Sequence, residues 1–393
     1  MGLVAPPQSR LLHPDVPIAR GRARRRLVAL GPALASAASA GVCPLVAHGA
    51  VGLSLHGRAL SAPVLTRSDT FVVVRPRPGA TPRLLRIDGR GRIQTLTGFA
   101  PALRGFARAS RSTTDGRVLV AASPERVAVL LYRAKCGEAE SGGFCNTLFD
   151  EVATQSLSGG TVERLSTCRH PSPFFVPEDT EVAVAGQTVA VDGENCSGRG
   201  AQLAIYGLGA RRSRAVLAGA DDSLSSGGRY LVWAPTNGPY STAVYDTRSR
   251  RTVVRPIPAQ GLSRLAIQAD GKVAASIGTA APSPMCGEQI GWFDPGGTTF
   301  HPLSLPCGSG SGVLYLGADR IAFDDHGATT LPLEAASLTG GQITGLWPHP
   351  LAPDYGIDLA DNRFAAVLRG CKTDRLVLTR VTAAKDLRPT RCR

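Results

Sequence analysis

Apolar and polar residues alternate in short runs along most of this chain, and the clearest run sits near its centre. Tyr230, Val232 and Ala234 alternate with Arg229, Leu231 and Trp233, the two-residue period of an extended strand. Asn237, Gly238 and Pro239 break that run, and Thr247 to Arg250 form a polar turn between Val244-Tyr245 and Val253-Val254. Asp222 to Arg255 therefore reads as four strands: a weak one around Ser223–Ser226, then Arg229–Ala234, Ser241–Asp246 and Arg251–Arg255. A meander this short cannot bury both of its faces. It requires copies of itself on either side.

The junction between the first two strands recurs as TRSD-TFVVV, ASPE-RVAVL, VAGQ-TVAVD, SSGG-RYLVW, QADG-KVAAS, LGAD-RIAFD and LADN-RFAAV. Each copy is a small or polar turn followed by an alternating apolar strand. The second strands start at Thr70, Arg126, Thr188, Arg229, Lys272, Arg320 and Arg363, at intervals of roughly 40–60 residues, the repeat length of a β-propeller blade. The fold class predicted is all-β: a seven-bladed β-propeller of four-stranded antiparallel blades, forming a single domain over 51–393. No sustained helical period occurs outside the N-terminus, and residues 99–115 read as a long connection. Each repeat supplies its own four strands, the last in blade seven falling near Lys385–Thr390, although Val51–Leu55 could add to the seam.

The N-terminus has a different pattern. Arg20 to Arg26 is strongly basic, Leu27 onward is rich in Ala, Leu and Val, and Ala38-Ser39-Ala40 is a small-x-small site. Residues 1–50 therefore read as a signal or targeting segment, with no other membrane element. Of the nine cysteines, Cys43 lies in that segment and an even number remains in the repeats. An oxidising compartment favours disulfides among them, and no spacing suits a metal finger. The expected location is secreted or cell-envelope associated.

In a four-stranded meander the start of strand three neighbours the end of strand four, which pairs Cys286 with Cys307, Cys371 with Cys392 and Cys145 with Cys168. Cys136 and Cys196 would then bridge adjacent blades. The rival connectivity joins Cys136 to Cys145 and Cys168 to Cys196.

The net charge is +14, almost all from arginine. It is scattered rather than clustered, and no nucleic-acid module is present, so nucleic acid is not the expected partner. The basic residues that open the second strands (Arg126, Arg229, Lys272, Arg320 and Arg363) would form an anion-holding ring if free. The simpler reading pairs them with adjacent turn carboxylates such as Glu125, Asp319 or Asp270.

The turns ASPE-RVAVL and QADG-KVAAS resemble the Ser-Pro-Asp-Gly-Lys/Arg turn of TolB-like and WD40-like bacterial propeller repeats. Asp246-Thr247 and Asp294-Pro295 resemble the hydrophobic-Asp end of the third strand in those repeats. The resemblance implies the architecture over residues 59–393. It implies no single function, because this fold serves binders, scaffolds and enzymes alike.

No H-E-x-x-H, G-x-S-x-G or P-loop pattern occurs. The Asp221-Asp222 and Glu178-Asp179 pairs read as loop carboxylates, calcium being the ion such pairs would take, and no cofactor is implied. Phe144, His170, Phe174, Phe175, Tyr240, Trp347, His349 and Tyr355 fall in or beside the longer connections, on one face of the propeller. The function expected is an exported, non-catalytic monomer that binds a protein, peptide or glycan through that face. The alternative is a propeller lyase, lactonase or glycan hydrolase with its site at the channel mouth.

Overall fold

The computed structural model describes residues 51–109, 115–136, 145–165, 181–194, 201–207, 209, 215–218, 223–235, 241–257, 261–278, 288–305, 314–324, 333–339, 343–347 and 356–380. Residues 1–50, where the sequence reads as a signal or targeting segment, lie outside this set. Leu45–Arg393 forms one compact unit.

The strands assemble into seven antiparallel sheets, one per predicted blade. Blade one contains Arg58–Ala59, Val64–Leu65, Asp69–Arg75, Arg83–Asp88 and Ile93–Thr95. Blade two contains Asp115–Ala122, Arg126–Cys136, Cys145–Ser156 and Glu163–Leu165, and blade three Val182–Ala185, Thr188–Glu194, Ala201–Tyr206 and Ala215–Ala218. Blade four comprises Ser225–Gly227, Tyr230–Trp233, Ser241–Asp246 and Arg251–Pro256. Blade five comprises Gly261–Ile267, Val273–Gly278, Glu288–Phe293 and Phe300–Pro302. Blade six has Leu314–Leu316, Arg320–Asp324, Leu333–Ser337 and Ile343–Trp347; blade seven has Ile357–Ala360, Arg363–Leu368 and Arg375–Arg380. The observed second strands begin within one residue of the predicted starts.

Two details depart from the repeat. The outer strand of blade seven comes from the other end of the chain: Val51–Ser54 pairs with Arg375–Arg380, Val51 opposite Leu378 and Ser54 opposite Arg375. The strand expected near Lys385–Thr390 lies outside the described residues. Blade one, in turn, has its inner strand in two pieces. Arg58–Ala59 pairs with Arg75 and Val74, and Val64–Leu65 pairs with Phe71 and Thr70.

The core lies between blades, because each sheet presents one apolar face to each neighbour. Val232, Ala234 and Val244 of blade four pack with Leu265, Ile267, Val273, Ala275, Ile277 and Phe293 of blade five. Ala183, Ala190, Leu203 and Ile205 of blade three pack with Leu231, Trp233 and Ala243 on the other face of blade four. Burial on both faces is why the second strands are almost continuously apolar. Full burial stabilises by about 1.5–3 kcal/mol per large side chain.

The connection after blade one is not irregular. Ala100–Ala109 forms a helix, α1, preceded by a short turn of 3-10 helix at Thr97–Phe99. Ala102, Leu103 and Phe106 are buried with Phe99 against Val129, Leu131 and Ala153 of blade two. The sequence pattern predicts only a long connection here, and Pro101 and Gly105 are poor helix formers. Pro101 sits in the first turn, however, where its missing N–H has no intrahelical partner to lose. No described helix is long and apolar enough to cross a membrane.

Candidate functional site

The arginines that open second strands do not form a free basic ring. Arg126 is fully buried. Its Nε donates to Thr154 Oγ1 at 2.8 Å, Nη1 to the Gln187 carbonyl at 2.7 Å and Nη2 to Glu163 Oε2 at 2.5 Å. The partner is thus Glu163 on the outer strand, not the adjacent Glu125, because the guanidinium crosses its own sheet and reaches blade three. Burial pushes the Arg126 pKa down, and Glu163 opposes that shift. Arg320 does pair with its neighbour Asp319, at 3.0 Å, as expected. Arg229 lies 3.4 Å from Asp246, Arg363 Nη1 donates to the Thr66 carbonyl at 2.8 Å, and the Lys272 backbone N–H donates to Asp270 Oδ1 at 2.9 Å.

Ring closure holds a second concentration of charge. Arg58 Nη1 donates to Asp374 Oδ1 at 2.8 Å and to the Gly370 carbonyl at 2.6 Å, while Nη2 donates to the Cys371 carbonyl at 2.8 Å. Asp374 also accepts the Ala59 N–H at 2.8 Å. Cys371 itself is disulfide-bonded. These contacts fix the start of the domain to blade seven.

The outer rim offers a different surface. Large hydrophobic residues are exposed at Val51, Ile93, Val253 and Val254, and the last two, 48% and 58% exposed, are neighbours on blade four. They lie on Arg251–Pro256, the outermost strand of that blade, whose free side pairs with no other described strand. Arg248, Arg250 and Arg251 are exposed beside them. The one carboxylate in that hairpin, Asp246, faces Arg229. Two adjacent exposed valines on a free edge leave apolar surface that a partner strand could cover, while Arg251 and Pro256 guard the edge against indiscriminate pairing.

Blade five carries a His–Asp pair. His301 Nε2 lies 3.0 Å from Asp294 Oδ2, and the ring stacks on Trp292 at 5.2 Å. The pair lies in an exposed hairpin on the rim, away from the axis. Among the described residues, no group of three or more His, Cys, Asp or Glu side chains could hold a metal ion.

Of the aromatic and histidine positions expected to form a binding face, Phe144, His170, Phe174, Phe175, Tyr240, His349 and Tyr355 lie outside the described residues. Trp347 ends the outer strand of blade six, its backbone opposite Leu333. Cys168, Cys196, Cys286, Cys307 and Cys392 also lie outside them. Cys136 and Cys145 are placed by their backbones, directly opposite one another in blade two. The blade-four rim does not stand out in sequence because Arg-Thr-Val-Val-Arg reads as an ordinary strand. The signal was present in Val253-Val254, two adjacent apolar residues on a final strand that only one neighbour covers.

No protein-family model matches the sequence, and no curated protein does. Solved structures do match. The chain is similar to a structure of prolyl endopeptidases at 12% identity and a TM-score of 0.54, covering 84% of this chain and 49% of that one. It therefore spans about half of that protein's length. It is also similar to TolB from Acinetobacter baumannii, at 13% identity and a TM-score of 0.41 over 81% of this chain and 78% of that one. A third structure, YCF48 bound to D1 peptide, aligns at 9% identity and a TM-score of 0.41 over 85% and 96% of the two chains. At such identities the likeness speaks to fold alone. The molecule is a seven-bladed β-propeller.

Proposed function

We propose that this chain is a non-catalytic binding propeller of the cell envelope that holds an extended, acidic segment of a partner protein along the edge of blade four. The observation that carries this reading is the Arg251–Pro256 edge, where Val253 and Val254 stand in solvent beside three exposed arginines. An added strand would satisfy the free backbone groups and cover both valines, and carboxylates on the partner would meet Arg248, Arg250 and Arg251. The charged N-terminal segment and the even cysteine set support export.

The test is selection of random peptides on the full chain. Enriched sequences should alternate Val, Ile or Thr with Asp or Glu. Val254→Lys and Arg251→Glu should each weaken binding by about tenfold or more, as expected for loss of a central apolar contact or of charge complementarity. Binding that survives both substitutions would move the interface off blade four.

A further inference from the structure

Two buried arginines of this fold have opposite surroundings. Arg126 is enclosed and fully engaged by the side chains of Thr154 and Glu163 and the carbonyl of Gln187. Arg255, on the outer strand of blade four, is 2% exposed, and its Nε and Nη1 are enclosed with no hydrogen-bond partner. Burial pushes its pKa down, and among the described residues no carboxylate opposes the shift. Directly across the ladder stands Thr242. Thr242 is fully buried, and its Oγ1 is also without a partner.

Opposed residues of an antiparallel pair share one face of the sheet, with Cβ atoms about 4.5–5.5 Å apart. That face also carries Val244 and packs on blade five, where Ile257, Ile277, Ala275 and Phe293 line the interface. A cation and a hydroxyl therefore stand side by side within an apolar seam. A guanidinium cannot escape by losing its proton at neutral pH. Left unpaired, it is a strongly unfavourable group to enclose.

We propose that Arg255 and Thr242 form a carboxylate-binding site in the seam between blades four and five. Arg255 would supply the positive charge and Thr242 the additional hydroxyl donor. Charge selects the ligand class. One guanidinium with no second cation acting on it neutralises a monoanion, whereas a phosphate dianion would keep a net negative charge in an apolar seam. The enclosed surroundings strengthen the pair once it forms, because little water competes for the donors. The inference does not depend on strand addition at the blade-four edge, since a free small acid satisfies it as well as the side chain of a bound segment.

The experiment is thermal unfolding of the full chain at constant ionic strength, with sodium acetate replacing sodium chloride and neutral acetamide as the control. The wild-type melting temperature should rise in acetate by about 2 °C or more, a size expected for ligand linkage in a domain this large. Acetamide should leave it unchanged. Arg255→Met should melt higher than wild type in chloride and lose the acetate response, and Thr242→Val should reduce that response. The proposal is overturned if Arg255→Met melts lower than wild type or fails to fold, because the guanidinium is then needed by the fold itself. An acetate response equal in wild type and Arg255→Met also overturns it, as a general solvent effect. A larger Arg255-dependent response to phosphate than to acetate would overturn the assignment to carboxylates.

Discussion

Asp358 of blade seven accepts the backbone N–H of Leu65 in blade one at 2.6 Å, closing the ring between residues 293 positions apart in sequence. The same carboxylate accepts the N–H of Leu359 at 2.8 Å. Burial drives its pKa up to about 7, against those two hydrogen bonds and the charge of Arg363, which pull it down. The closure of the propeller thus contains an acid that burial makes easier to protonate than an ordinary aspartate.

Stability should depend on pH through this group. Its folded pKa is raised above the ordinary value of 3.8, so between these two values the folded state holds more protons than the unfolded state. Stability then falls as pH rises from about 4 to about 7 and levels off above, with a slope of at most about 1.4 kcal/mol per pH unit for one proton. Chemical denaturation across that range checks the prediction. Asp358→Asn should flatten the slope, and an unchanged slope would assign it elsewhere.

Arg126 should be a keystone between blades two and three. Removing the guanidinium in Arg126→Ala strands Glu163 and the Gln187 carbonyl and opens a cavity, for a loss of about 3–5 kcal/mol. Urea unfolding of the variant measures it. A loss below about 1 kcal/mol would mean that water replaces those contacts without penalty.

Gly227 on the inner strand of blade four should tolerate no side chain. A Cβ there would meet the Ile267 carbonyl oxygen and come within 2.6 Å of the Gln268 carbonyl carbon. Both belong to the backbone of blade five, so neither can swing aside. Gly227→Ala should destabilise by about 1–3 kcal/mol. Substituting Gly79, whose Cβ would meet nothing within 4 Å but whose φ is +76°, separates backbone strain from this clash.

The cysteine pairing is decided by peptide mapping without reduction. Directly opposed residues of an antiparallel ladder have Cα atoms about 4.5–5.5 Å apart, inside the disulfide range. The opposed backbones of Cys136 and Cys145 therefore favour that linkage over the bridge from Cys136 to Cys196. A linked peptide containing Cys136 and Cys145 is the expected product, together with one joining Cys371 to Cys392. Recovery of a Cys136–Cys196 peptide would restore the bridge between adjacent blades.

Much of this fold is legible along the chain, for a local reason. The alternation Tyr230, Val232, Ala234 and the turn at Asp88–Gly91, where Asp88 Oδ1 accepts the N–H groups of Arg90 and Arg92, are set by residues within a few positions of each other. Repetition of such signals determined the blade count and the second-strand starts.

Other features required contacts between distant segments. The use of Val51–Ser54 as the last strand of blade seven depends on which end of the chain meets a vacant edge, and the alternating pattern is the same for either choice. Helix α1 gains its hold from Phe99, Leu103 and Phe106 packing on blade two, which outweighs the weak helix preference of Gly105. Arg126 and Arg255 look alike in sequence, each a basic residue in an apolar strand. Its own sheet and blade three together give the first its acceptors, while the second is enclosed with Nε and Nη1 unpartnered, because burial and partners are properties of segments brought together, not of a residue's neighbours in the chain.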